Sequence, residues 1–171
     1  MLSSIDINSL LEELKADEEI KITNYVWSGD QELNEALQGK VITNVWVDRS
    51  ESPKFMTFEV EGGDLFSFYA EGDCCSDSWF ADFFNVSKLI GQKIIGIGSI
   101  DLKEYEYNIE DGRGLQDVDQ VYGFRFYTDD VVAVLAFRNS SNGYYGGWLT
   151  SYNKHSQEVC ISDKEHWVSD F

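Results

Sequence analysis

Apolar and polar positions alternate along most of this chain, and they do so in two series of the same order. Residues 40–48 and 55–61 read as strands, and Gly62-Gly63 as the hairpin turn into a return strand at 64–71. Residues 93–102 form a further strand, and 121–128 with 131–138 a second hairpin that turns at Asp129-Asp130. Each series opens on the same phrase. Leu37-x-Gly39-x-x-Ile42-x-x-Val45 returns 52 residues later as Leu89-x-Gly91-x-x-Ile94-x-x-Ile97. From Phe58 to Phe124 the spacing is 66, because the second series carries extra acidic loop between Ser99 and Tyr122. The first hairpin ends in Asp73-Cys74-Cys75-Ser76 and the second in Asn139-Ser140-Ser141-Asn142. This repetition predicts duplicated hairpin units that bring both polar segments to one edge of the sheet, where they build a composite site.

A helical period appears in three places. Ile7, Leu10, Leu11 and Leu14 give residues 5–20 one apolar face, 30–37 reads as a short helical turn, and Gly39 ends it. Residues 78–89 carry Trp79, Phe80, Phe83, Phe84 and Val86 and read as an aromatic-faced helix that Gly91 stops. Residues 20–27 and 158–162 read as peripheral strands. The predicted fold class is α+β: a mainly antiparallel twisted β-sheet with two duplicated hairpin units, an N-terminal helix and a short helix after the GDCC turn. A length of 171 residues predicts one domain, divided into a helical extension (1–34), a duplicated β-core (35–150) and a tail (151–171).

Composition supports an ordinary core, with five Trp, nine Tyr and eleven Phe, and a chain of this size buries about 70% of its unfolded surface. No apolar run reaches the roughly 20 residues a membrane span needs. The first residues lack the basic start and apolar stretch of a secretion signal, so a cytoplasmic protein is expected. Charge changes the picture more. Thirty-one acidic residues against thirteen Lys and Arg leave a net charge of −18. Such a surface repels nucleic acid and anionic membranes and steers a basic protein partner toward it. Plain solubility is the other reading of the same charge.

Three cysteines, Cys74, Cys75 and Cys160, are an odd number, and adjacent cysteines close only a strained ring. Free thiols are therefore expected. In the segment EGDCCSDSWF two readings stand side by side. In one, Asp73 or Ser76 caps a helix and the cysteines are small buried fillers. In the other, Cys74 or Cys75 lies at a helix N-terminus, whose dipole would lower the thiol pKa and favour nucleophilic attack. That enzyme reading lacks a nearby base, since the only histidines are His155 and His166. The segment RNSSNGYYGGW pairs a strong Asn142-Gly143 turn with Tyr144 and Tyr145, a recognition chemistry of adaptable polar groups and rigid aromatics. Its alternative is a tight bend that lets the tyrosines stack on the sheet. Candidate ligand- or partner-binding residues are Asp73, Cys74, Cys75, Ser76 and Trp79 from the first segment. Arg138, Asn139, Ser140, Asn142, Tyr144 and Tyr145 join them from the second. His155, Cys160 and His166 match no common zinc spacing, and no phosphate loop, serine elbow or HExxH stretch is present. The reading is of no catalytic residue, no cofactor and no metal.

The two segments together, with the Leu-x-Gly-x-x-Ile starts and the YGF strand, resemble a small domain of unknown function found in bacteriophage and bacterial hypothetical proteins. The resemblance spans about residues 35–150 and implies a phage or mobile-element setting, with no activity attached. The expectation from sequence is a non-catalytic acidic binding protein that neutralises a basic partner, as an inhibitor or immunity factor does. A binder of a small nucleotide-like ligand is the alternative, and a cysteine-dependent enzyme a further one. Oligomeric state is not legible.

Overall fold

The computed structural model describes residues 30–100, 102, 116–151 and 167–168. The helix expected at 5–20, the strands expected at 20–27 and 158–162, His155, Cys160 and His166 lie outside them. Among the described residues one α-helix, α1 (Asp30–Leu37), precedes strands β1 (Ile42–Asp48), β2 (Phe55–Val60), β3 (Leu65–Gly72) and β4 (Asp77–Phe84). After a 3-10 turn (Val86–Leu89) come β5 (Gly96–Ile100), β6 (Val118–Tyr127), β7 (Val132–Ser141), β8 (Gly147–Ser151) and β9 (Trp167–Val168). They form two antiparallel sheets, in the orders β8-β3-β2-β1-β9 and β4-β7-β6-β5. Neither order is sequential. After β3 the chain leaves the first sheet to supply β4 to the second, and after β7 it leaves the second to supply β8 to the first.

Alternation sets which side chains enter the core. Met56, Phe58 and Val60 of β2 point one way, toward Phe124 and Phe126 of β6 and Leu135 and Phe137 of β7. Phe58 meets Phe126 across the sheets at 5.8 Å between ring centroids, and Phe124 stacks on Phe137 at 5.6 Å with planes 5° apart. Leu33 and Leu37, one helical turn apart, seal α1 onto the same core. On the far face of the first sheet the buried pair Thr57 and Ser67 share a hydrogen bond at 2.7 Å, so that polar pair is satisfied internally.

The two Leu-x-Gly-x-x-Ile phrases bind each other. The Gly39 N–H donates to the Ile94 carbonyl (2.8 Å) and the Gly91 N–H to the Ile42 carbonyl (2.7 Å). Ile42 in turn donates to Gln92 O (3.0 Å) and Ile94 to Lys40 O (2.9 Å), around an isolated Val41–Lys93 bridge. Both glycines have positive φ, 77° and 84°, which lets the chain leave a helical turn and enter this crossing without Cβ strain.

The helix expected over 78–89 is a correction. Residues Asp77–Phe84 are strand β4, paired with β7, and only Val86–Leu89 turns, as 3-10 helix after Asn85 in the left-handed region at φ 54°. A bulge between Phe80 and Asp82 causes the misreading. It resets the alternation so that Phe80 and Phe83 both face the core, three residues apart, which imitates a helical stripe. The second polar segment is corrected as well. Asn139, Ser140 and Ser141 continue β7, and the turn begins only at Asn142.

Replacing Phe58 by Ala removes the ring that spans the two sheets and is expected to cost about 3–5 kcal/mol. Urea unfolding at equilibrium measures it, and a loss below about 1 kcal/mol would show that the sheets do not share this core.

Candidate functional site

The two chain crossings between sheets occur at the same end of the molecule, opposite the hairpin tips, and there the two turns touch. The Asp73 N–H donates to the Gly146 carbonyl (3.1 Å), and the Ser76 hydroxyl donates to that same carbonyl (3.1 Å) and to Asp73 O (3.0 Å). Ser76 N–H closes the first turn on Asp73 O at 2.8 Å. Gly72 makes room for this fold-back, because a Cβ there would lie 2.7 Å from Ser76 Oγ and 2.9 Å from its carbonyl oxygen. Asn142 Oδ1 accepts from the Tyr144 N–H (3.0 Å) and Ser141 Oγ from the Gly143 N–H (3.0 Å), which shapes the second turn.

At the surface of this end stand Asp73, Cys74, Cys75, Asn142 and Tyr144, all exposed, with Ser76 and Tyr145 half-buried. Tyr144 is 87% exposed and meets Tyr145 edge-on at 5.1 Å and 81°. Asp117 is exposed nearby, next to Gln116, whose amide donates to the Cys75 carbonyl at 2.9 Å. Cys74 and Cys75 are free, with their sulfurs 3.6 Å apart. The hydrogen bond to Cys75, then that neighbour's charge, then slight desolvation and Asp73 push the Cys74 thiol above its ordinary pKa. Both sequence readings of this pair need correcting. The cysteines are not buried fillers, and the turn leads into a strand, so no helix dipole acts on them.

Beneath the surface lies a second, buried tier of polar groups. Asn139 (0% exposed) donates through Nδ2 to Ser78 Oγ at 2.9 Å, and its Oδ1 has no hydrogen-bond partner among the described residues. Tyr122 donates to Gln120 Oε1 (2.8 Å) and accepts from the Gly147 N–H; burial pushes its hydroxyl pKa up, and that backbone donor opposes the rise. Gly147 passes directly over this tier, since a Cβ would lie 2.3 Å from Ser78 Oγ and 3.0 Å from Asn139 Cβ. Thr150 donates to Glu71 Oε2 at 2.7 Å and ties β8 to β3 at the same end. Lys54 pairs with Asp77 at the start of β4, and the bond to that carboxylate holds its pKa up.

Of the predicted residues, Asp73, Cys74, Cys75, Ser76, Asn142, Tyr144 and Tyr145 come together. Trp79, Arg138 and Ser140 do not join them. All three are buried (2%, 4% and 1% exposed) on the face of β4 and β7 that looks away from the other sheet. Asn139 is near but sunk in the tier below. Sequence reading missed Gln116, Ser78, Tyr122 and Gly147. Strict alternation from Phe124 and Phe137 would have placed Tyr122 on one inner face with the already named Asn139 and so found one of these four.

Comparison with known proteins adds relatives without a chemistry. A family model described as "Domain of unknown function (DUF7448)" matches residues 35–150. The "Uncharacterized protein L278" of Acanthamoeba polyphaga mimivirus is 42% identical over 86 residues, which cover 47% of this chain and 62% of the viral protein. The chain thus spans less than two thirds of that relative's length. No solved structure matches.

Two outcomes follow from the geometry. Gly147→Ala is expected to cost about 1–3 kcal/mol in urea unfolding, and adding Ser78→Ala should recover part of it; full additivity would place β8 away from this tier. At neutral pH Cys74 should alkylate more slowly than a free cysteine, because only the thiolate attacks and a raised pKa leaves less of it. Cys75→Ser removes the main cause, so site-resolved mass spectrometry should find Cys74 labelled faster in that variant than in the wild type.

Proposed function

The chain belongs to the DUF7448 family, whose function is unassigned, and we propose that it is a non-catalytic acidic protein that binds and neutralises a basic protein partner. The binding surface is the end where the turns Asp73–Ser76 and Asn142–Gly146 meet. The observation that carries this reading is Tyr144, a tyrosine 87% exposed on an otherwise well-packed β-fold and steadied edge-on by Tyr145. An aromatic ring held outside the core at low entropic cost is the usual anchor of a protein interface. Exposed Asp73 and Asp117 flank it, on a chain of net charge −18, and these supply the steering field. The turns' own hydrogen bonds keep the surface ordered before contact, which lowers the cost of binding.

Two further parts complete the proposal. The setting is a virus or mobile element acting inside its host cell, in keeping with the mimivirus relative and the family resemblance in the sequence. The fold descends from a duplicated hairpin unit whose copies exchanged their fourth strands. The reciprocal bonds of Gly39 and Gly91 and the matching orders β8-β3-β2-β1 and β4-β7-β6-β5 support that descent.

Purified chain titrated against a panel of basic nucleases and other basic proteins, by calorimetry, tests the binding reading. Affinity is expected to fall about tenfold or more in Tyr144→Ala and to weaken as salt rises from about 0.05 to 0.5 M. Binding indifferent to both, or no binding across the panel, would overturn it.

A further inference from the structure

Consecutive side chains of an extended strand point to opposite faces, so two adjacent cysteines ordinarily present their sulfurs apart. Here they converge. The turn that carries Cys74 and Cys75 brings both sulfurs to one side, 3.6 Å apart and exposed. It is also pinned on every flank. Cys74 N–H is held by Asp73 Oδ1 (2.8 Å), Cys75 O by Gln116 (2.9 Å), and the turn as a whole by Gly146 O through Asp73 and Ser76. None of these bonds involves a thiol, so both sulfurs are presented by a scaffold complete without them.

We propose that Cys74 and Cys75 form a chelating two-thiolate site for a soft monovalent cation of the Cu(I) class. Thiolates select such ions over hard cations. With metal–sulfur bonds near 2.3 Å, a thiolate pair at this spacing subtends roughly 103° at the metal. Rotation about the two Cα–Cβ bonds opens that angle toward the linear geometry two-coordinate ions adopt. Among the described residues no group of three or more His, Cys, Asp and Glu side chains gathers, so this turn offers a pair of soft donors rather than a closed zinc cage. Binding exchanges two S–H protons for two metal–sulfur bonds, releases both protons to solvent and changes no oxidation state. The site lies on the surface assigned to partner binding but does not rest on that reading, because it needs neither Tyr144 nor the surface charge.

Competition with a chromophoric Cu(I) chelator under a non-thiol reductant tests it on the full chain. The wild type is expected to withdraw one equivalent of Cu(I). Cys74→Ser and Cys75→Ser should each lose about 100-fold in affinity, the scale on which a second tethered donor acts. Both positions are exposed, so circular dichroism and the unfolding midpoint should stay unchanged and exclude a folding artefact. No uptake by the wild type, a single variant that matches it, or full uptake by the double variant through Cys160 would each overturn the proposal.

Discussion

Each sheet of this fold is completed by a strand that the chain brings over from the other: β8 closes on β3, and β4 closes on β7. An antiparallel sheet leaves unpaired N–H and C=O groups along its rim, and a strand laid on that rim satisfies them. The two strands are reached by crossings at the same end of the molecule, so the connecting turns must pass each other. That is why Asp73 and Ser76 find Gly146, and why β8 has to begin with a residue small enough to slide over Ser78 and Asn139. The surface cluster of cysteines, aspartates and tyrosines is a by-product of how the sheets are finished.

At the opposite end a second crossing organises the chain. The Gly39 and Gly91 turns exchange backbone hydrogen bonds and set β1 and β5 off into different sheets, while phenylalanines fill the space between. The polar content is distributed to match. β7 is buried along its whole length, on both faces. Its inner face carries Ala133, Leu135, Phe137 and Asn139, and its outer face carries Arg138 beside Trp79. On β6 the buried Arg125 lies 4.8 Å from the Tyr127 ring centre, a cation–π contact that gives this charge a partner. In so acidic a chain, two of the few positive groups are used inside the fold.

Much of this was legible beforehand, and the failures have physical causes. Gly62-Gly63 marks its hairpin because both residues take positive φ, and Asp129-Asp130 marks the other as a polar turn whose Asp130 and Val131 N–H groups donate to Thr128 Oγ1; both hairpins stand where the alternation puts them. The repeated Leu-x-Gly-x-x-Ile phrase was visible as text, but not that its two copies would bond to one another. The bulge beside Ala81 hid β4, since one extra residue converts a period of two into an apparent period of three. Asn139-Ser140-Ser141 looked like a turn because composition alone signals loops. The sheet tolerates them in a strand where Asn139 meets Ser78 across the ladder. Burial of Trp79 and Arg138 was not readable either, for which face of a strand is covered depends on what packs there.

The strand exchange also bears on how the chain reaches its native state. Glu71 and Thr150 are 79 residues apart in sequence, and Ser78 and Asn139 are 61 apart, yet both pairs sit where the crossings meet. Contacts of such separation can reward the chain only after the long intervening loops have closed, so slow folding over a mainly entropic barrier is the expected behaviour of this topology. Neither sheet is whole until residues from both halves of the sequence have been made. On the ribosome β1, β2 and β3 must therefore wait, with the rim of β3 uncovered, for β8 to emerge. Until then that rim is open to pairing with another chain, including a second copy of itself.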